Sequence, residues 1–256
     1  MLAVGSPDSF VETRSSREIG WVREDLAGHG LEPFWGEVAA MPEAKGRGGV
    51  GRLAVGGLDL VVRPYRRGGA LARLLGDRYL SPARAKAELD LLCALRGKGI
   101  LTVAPVAAIA RRQGACWRLR LCTELLKGAR PLPAFLARAP NARREAVGSV
   151  AELVRAAFEA GLRHPDLHVD NILCTEAGGA VQAALVDLDR ARLAPPLSAA
   201  ARDGMLARMQ RYLLKHRASL AASPTLAETL RFLRGLDLDR AARRRVWQRL
   251  GRAPSR

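Results

Sequence analysis

Residues 163–174 read RHPDLHVDNILC. His164, Asp166, His168, Asp170 and Asn171 crowd together immediately ahead of the apolar Ile172-Leu173-Cys174. Side chains of these types accept or orient protons and offer oxygen atoms to a cation. An apolar-rich segment then runs through Gly178-Gly179 to Val186, followed by Asp187-Leu188-Asp189. If the glycine pair turns a hairpin, position 171 on the first strand faces roughly position 186 on the second. Asn171 and Asp187 then converge at the same end of the hairpin. A neutral amide oxygen and a carboxylate placed side by side are hard donors suited to a cation such as Mg²⁺.

The spacing His164-x-Asp166-Leu167-x-x-x-Asn171 resembles the catalytic loop of protein kinases. Phosphoryl transfer needs a carboxylate beside the acceptor hydroxyl and oxygen ligands for the metal on the nucleotide. The resemblance implies that Asp166 is the catalytic base, with His164 grouped beside it in the catalytic motif. It implies that Asn171 and Asp187 hold the metal, Asp187 taking the first position of the kinase D-F-G motif. Asp189 stands where that motif has glycine, either as a further metal contact or as a partner for Arg190. An isolated copy of the loop spacing would also serve as a capped turn. The strand, glycine turn, strand and aspartate that follow it favour the site.

The elements that must position a nucleotide are expected in the N-terminal half. KGRGGVGRLAVGGLDLVVRPY (45–65) reads as two strands, GRLAV and LDLVVR, around Gly56-Gly57. Gly46, Gly48, Gly49 and Gly51 precede the first strand, so their backbone amides form either a phosphate-approaching loop or a plain turn. Arg63 closes the second strand, where a kinase places the lysine that holds the α- and β-phosphates. Ser81-Pro82 opens a helix that continues through Leu95 and is closed by Gly97 or Gly99. Glu88 shares that helix's apolar face with Leu91, Leu92 and Leu95, so it either pairs with Arg63 or reaches water at the edge.

LTVAPVAAIA and CWRLRLCTEL read as further strands, and the residues after about 141 turn helical. Val147, Val150, Ala151, Val154, Ala157 and Phe158 form one stripe ended by Gly161. Strands first and helices later imply an α+β chain with a small β-rich N-lobe and a mainly helical C-lobe. The division expected is 1–33 as a peripheral N-terminal segment, 34–126 as the nucleotide-clamping lobe and 127–256 as the catalytic lobe.

With 256 residues, 48% of them hydrophobic, the chain has enough material for a substantial core and is not a disordered tail. The formal net charge is +17, which favours polyanionic partners. Residues 1–44 hold 3 basic and 8 acidic side chains, whereas residues 197–256 hold 14 basic and 4 acidic. The partner-facing surface is therefore expected to include the C-terminal helices. Cys93, Cys116, Cys122 and Cys174 have no CxxC spacing and read as reduced core thiols. Asp8, Glu12, Arg14, Arg17 and Glu18 interrupt the first twenty residues, so no signal-peptide stretch is expected, and the run ILTVAPVAAIA is too short to span a bilayer. Trp21, Trp35, Trp117 and Trp247 are not interleaved with the basic runs as base-stacking residues would be, so nucleic acid is not expected as a partner.

Several ordered blocks are similar to the Kdo (3-deoxy-D-manno-octulosonic acid) kinases of the lipopolysaccharide kinase family, within the protein-kinase-like superfamily. They include FWGE (34–37), AKGRGGVGRL (44–53), LVVRPYRRGGALARLLGDRYL (60–80), HPDLHVDNILC (164–174), LVDLDRARL (185–193) and LARMQRYLLKH (206–216). Arg63 in place of lysine fits those sugar kinases. His168 and Pro64 depart from the family pattern, which often has asparagine and histidine there, and the last forty residues match no block of it. The resemblance implies a bilobal protein-kinase-like fold and ATP-dependent, Mg²⁺-assisted phosphorylation of the 4-hydroxyl of Kdo on lipid A. It also implies an anionic glycolipid acceptor and a peripheral position on the cytoplasmic side of the bacterial inner membrane. Arg66, Arg67, Arg73 and Arg78 are candidates to engage that acceptor or the membrane. The alternatives are a small-molecule kinase of the aminoglycoside- or choline-kinase-like type and a catalytically inactive kinase-like membrane scaffold.

Overall fold

A computed structural model describes residues 9–41, 49–66 and 76–251, with side chains to residue 248. The described residues divide into two compact units: 9–94 with Val103–Leu126, and Leu95–Thr102 with 127–251.

The first unit is built on a seven-stranded antiparallel sheet. Its strands are β1 (Phe10–Arg14), β2 (Glu18–Arg23), β3 (Ala39–Ala40), β4 (Gly51–Val55), β5 (Leu58–Pro64), β6 (Pro105–Gln113) and β7 (Cys116–Glu124). They lie in the order β1-β2-β6-β7-β5-β4-β3. The β4–β5 hairpin turns at Gly56-Gly57, with φ of 56° and 80°, left-handed values that glycine adopts without a Cβ penalty. The apolar run expected as a strand becomes β6, in which Val106 through Ala110 are all buried. Helix α1 (Ala83–Gly97) begins as expected, Ser81 Oγ accepting the Ala83 N–H at 3.1 Å. Gly99 ends it with φ 76°: the Ile100 N–H reaches Leu95 O at 3.0 Å and the Gly99 N–H reaches Arg96 O at 2.9 Å.

Residues 9–33 are not a peripheral segment. β1 and β2 pair residue by residue from Phe10↔Arg23 to Arg14↔Ile19, and β2 joins the sheet against β6. Val22, Leu26, Leu31 and Phe34 enter the same core as Leu60, Val62, Val106, Ile109 and Cys122. The physical reason is pairing at long range. β1, with its side chains largely in water, is the sheet's edge strand and looks polar, but it covers β2, whose Ile19, Trp21 and Val22 are buried. Trp21 Nε1 donates across that pair to Glu12 Oε2 at 2.9 Å.

The second unit carries helices α2 (Leu132–Arg138), α3 (Arg143–Glu159), α4 (Ala199–His216), α5 (Leu226–Gly235) and α6 (Arg240–Gly251). Its strands are β8 (Arg130–Pro131), β9 (Leu162–Arg163), β10 (Ile172–Ala177), β11 (Ala180–Leu185) and β12 (Arg192–Leu193). The expected stripe of α3 is buried along its length, packed on β11 and α5. α5 starts with a reciprocal cap, Thr225 Oγ1 accepting the Glu228 N–H and Glu228 Oε2 accepting the Thr225 N–H. β8, β10 and β11 form one small sheet, and β9 pairs with β12. Among the described residues no helix is long and apolar enough to cross a membrane.

Candidate active site

The loop 164–171 leaves one strand pair and enters another. Gly161, with φ 81°, accepts the Ala194 N–H at 2.9 Å and leads into β9, which pairs with β12 through Arg163↔Arg192. Leu167 and Val169 are buried and hold the loop down, while the Asp166 side chain is 68% exposed. The loop therefore presents its carboxylate from a fixed backbone.

His164 contributes to that fixation and not to contact with a substrate, because it is only 1% exposed. Its Nδ1 accepts the backbone N–H of Asp166 at 3.2 Å, and the His164 backbone N–H donates to Met205 Sδ at 3.3 Å. The ring thus braces the loop's backbone from within, directly at Asp166. Burial pushes its pKa down, against the opposing pull of the Asp187 and Asp166 charges. The imidazole that holds Asp166 in place is thus neutral at physiological pH.

Asn171 is buried at the start of β10. Its Nδ2 donates to Asp166 O at 3.0 Å and lies 3.1 Å from His168 Nε2. Its backbone carbonyl accepts the Val186 N–H at 3.0 Å. The register Ile172↔Leu185 through Ala177↔Ala180 puts the turn at Gly178-Gly179, as the glycine pair required. Asp187 is the next residue beyond Val186, so it emerges beside Asn171. It is exposed and has φ 55°, a left-handed conformation that aspartate tolerates better than most residues. Leu188, buried at 1%, anchors the chain directly after it. Asp166, Asn171 and Asp187 therefore gather around one end of one hairpin.

In the first unit Arg63 and Glu88 form the pair that the apolar helix face called for. Arg63 Nη2 reaches Glu88 Oε1 at 2.5 Å and Oε2 at 2.6 Å, and the Glu88 side chain is only 3% exposed, so it does not reach water. Tyr65 Oη donates to Glu88 Oε2 at 2.6 Å. The Tyr65 ring lies beneath the Arg63 guanidinium at 4.8 Å. Of the glycines proposed to approach phosphate, Gly46 and Gly48 lie outside the described residues, as do Arg67 and Arg73. Gly49 is exposed with φ 63°.

Two contributors escaped the sequence reading. Tyr65 follows Arg63 by two positions, just beyond the end of β5, where its N–H still bonds to Leu119 O and the extended chain keeps both side chains on one side. Tyr212 on α4 follows Met205 and Met209 at helical spacing, a stripe that the sequence shows but does not connect to the loop. Its hydroxyl donates to Asp170 Oδ2 at 2.6 Å, and its ring stacks on His168 with centroids 4.0 Å apart. Burial pushes the pKa of His168 down against the nearby Asp166, Asp170 and Asp187 charges.

Residues 33–235 match the family described as Lipopolysaccharide kinase (Kdo/WaaP). A protein of Xylella fastidiosa (strain M23) named 3-deoxy-D-manno-octulosonic acid kinase is 32% identical over 209 residues, covering 80% of this chain and 82% of the relative. One of the same name from Stenotrophomonas maltophilia (strain R551-3) is 30% identical over 250 residues, covering 93% of this chain and 98% of the relative. A solved structure titled "WaaP in complex with acyl carrier protein" superposes with a TM-score of 0.58 at 21% identity, covering 88% of this chain and 93% of that one. That likeness establishes a protein-kinase-like fold.

Proposed function

The chain belongs to the lipopolysaccharide kinase (Kdo/WaaP) family, and from that premise we propose that it transfers the γ-phosphoryl group of ATP to the 4-hydroxyl of a Kdo residue on lipid A. The observation that carries the reading is the gathering of Asp166, Asn171 and Asp187 at the end of the β10–β11 hairpin. Asp166, exposed on a loop pinned by His164, accepts the proton of the sugar hydroxyl as its oxygen bonds to the γ-phosphorus and the bond to the bridging oxygen of ADP breaks.

Asn171 and Asp187 are the residues that would hold Mg²⁺. The donor set fits that ion: one amide oxygen and one carboxylate, with phosphate oxygens and water completing the shell. Among the described residues no group of three or more His, Cys, Asp or Glu side chains converges as a closed protein cage. A bound Mg²⁺ supplies charge neutralisation at the phosphate oxygens. In the first unit Arg63, braced by Glu88 and Tyr65, serves as a cation for the nucleotide phosphates. Residues 34–126 are thereby the nucleotide-clamping part and 127–256 the catalytic part.

The acceptor, an anionic glycolipid, fits a chain of net charge +17. We place the enzyme peripherally on the cytoplasmic side of the inner membrane, held by basic side chains that each contribute roughly 1 kcal/mol near an anionic leaflet. The test is transfer of labelled phosphate from ATP, with Mg²⁺, to Kdo–lipid IVA, an aminoglycoside and choline offered separately. Label in the glycolipid alone supports the proposal. Label in a soluble acceptor alone assigns the chain to small-molecule kinases, and no transfer to any acceptor with intact nucleotide binding supports an inactive scaffold.

A further inference from the structure

The segment LARMQRYLLKH is not accounted for by the roles assigned so far. It forms most of α4, and its Tyr212 reaches back to Asp170, 42 residues earlier in the chain. The hydroxyl donates to Asp170 Oδ2 at 2.6 Å. One face of the ring stacks on His168, the planes 6° apart and the centroids 4.0 Å apart, and the ring also meets His216 at 4.4 Å. Tyr212 therefore grips the loop at two neighbouring points, a carboxylate and an imidazole.

His168 passes that grip on. Asn171 Nδ2 carries two hydrogens, and one goes to the Asp166 carbonyl at 3.0 Å. A carbonyl can only accept, so this contact fixes which end of the Asn171 amide is nitrogen. The second hydrogen faces His168 Nε2, 3.1 Å away, which accepts it in the tautomer that carries the ring proton on the buried Nδ1. With both N–H bonds committed, the amide oxygen is turned to the opposite side. A flipped amide would bring its NH₂ group to that side, where it would repel a cation.

We infer that Tyr212 and His168 are positioning residues for metal binding: the α4 ring clamps the imidazole, and the imidazole locks Asn171 with its Oδ1 presented to Mg²⁺. The inference rests on the reading of Asn171 as a metal ligand and adds what holds that ligand.

The test needs no turnover. Thermal stabilisation by saturating ATP is titrated with Mg²⁺ for the wild type and for His168→Phe, His168→Gln, Tyr212→Leu and Asn171→Ala. Phenylalanine keeps a flat ring for Tyr212 but cannot accept a hydrogen bond. Glutamine carries an amide oxygen close to the position of Nε2. His168→Phe is expected to weaken the apparent Mg²⁺ affinity about 10- to 100-fold, the usual loss when the partner behind a ligand is removed. His168→Gln should recover most of it, and Tyr212→Leu should lose affinity in the same direction as His168→Phe. Wild-type Mg²⁺ affinity in His168→Phe, or equal losses in His168→Phe and His168→Gln, overturns the inference. Should His168→Phe not fold, undiminished Mg²⁺ affinity in Tyr212→Leu overturns it instead. Asn171→Ala separates the two levels: if it leaves the Mg²⁺ titration unchanged, the metal reading itself fails. If it abolishes the Mg²⁺ response while His168→Phe does not alter it, only the positioning role fails.

Discussion

The backbone N–H of Val186 donates to the carbonyl of Asn171 across 3.0 Å, closing the β10–β11 hairpin at the end away from its turn. That one bond sets the spacing of Asn171 and Asp187, because Asp187 follows Val186 directly. Asp187 has φ 55°, which asparagine tolerates as readily as aspartate. Asp187→Asn should therefore keep the turn and fold. Loss of the carboxylate should lower kcat by on the order of 10²-fold. Steady-state kinetics with Mg²⁺ varied, beside a melting curve of the free protein, checks both halves.

Glu88 is buried against Arg63 and Tyr65, so removing either partner leaves a carboxylate poorly compensated. Arg63→Ala should destabilise the fold by about 3 kcal/mol, as expected when one member of a buried ion pair is removed. Tyr65→Phe removes only a hydroxyl donor and should cost about 1–2 kcal/mol. Urea unfolding of both single variants and of the double variant measures the coupling. Strictly additive losses would contradict a shared site at Glu88.

How much was readable beforehand follows from how local each relationship is. The hairpin register was legible because Gly178-Gly179 fixes the turn and the strand period does the rest. The Arg63–Glu88 pair was legible because an acid on an apolar helix face demands a partner. β1 and β2 were not, because Phe10–Arg14 is too polar to read as a strand until β2 lies beside it and β6 lies beyond. Tyr212 was not legible either: its stripe marks it as inward-facing, but nothing local says that Asp170 and His168 are what it meets.

Gly161 shows how tightly the approach to the loop is built. Its φ is 81°, and a Cβ at that position would lie 2.6 Å from the backbone nitrogen of Pro195. Gly161→Ala is thus penalised by conformation and by a backbone clash together. A loss of at least about 2 kcal/mol is expected, with a fall in activity because β9 delivers the chain to His164. Denaturation midpoints and turnover, measured together, test it. An unaffected midpoint would mean that the turn relaxes freely.

Glu228 gives the second unit a pH dependence. Arg143 Nε and Nη2 donate to its two carboxylate oxygens at 2.7 and 2.8 Å, and its side chain is 9% exposed. The Arg143 guanidinium, with help from Thr225, pulls its pKa down to about 2 from an ordinary 4.5. A depressed carboxylate pKa stabilises the fold above about pH 4.5, and that stabilisation is lost as pH falls toward 2. Glu228→Gln should lower stability by roughly 2–3 kcal/mol at pH 7, and its stability should change less than the wild type's between pH 4.5 and 2. Parallel urea titrations across that range decide it.

If Asp166 takes the proton of the acceptor hydroxyl, its loss must show within a single turnover. Enzyme preloaded with labelled ATP and Mg²⁺ is mixed with Kdo–lipid IVA, and transfer is followed for the wild type and for Asp166→Ala. Transfer is expected to slow about 10²- to 10⁴-fold in Asp166→Ala, with nucleotide affinity unchanged because the side chain is 68% exposed. Transfer at the wild-type rate in that variant would contradict it.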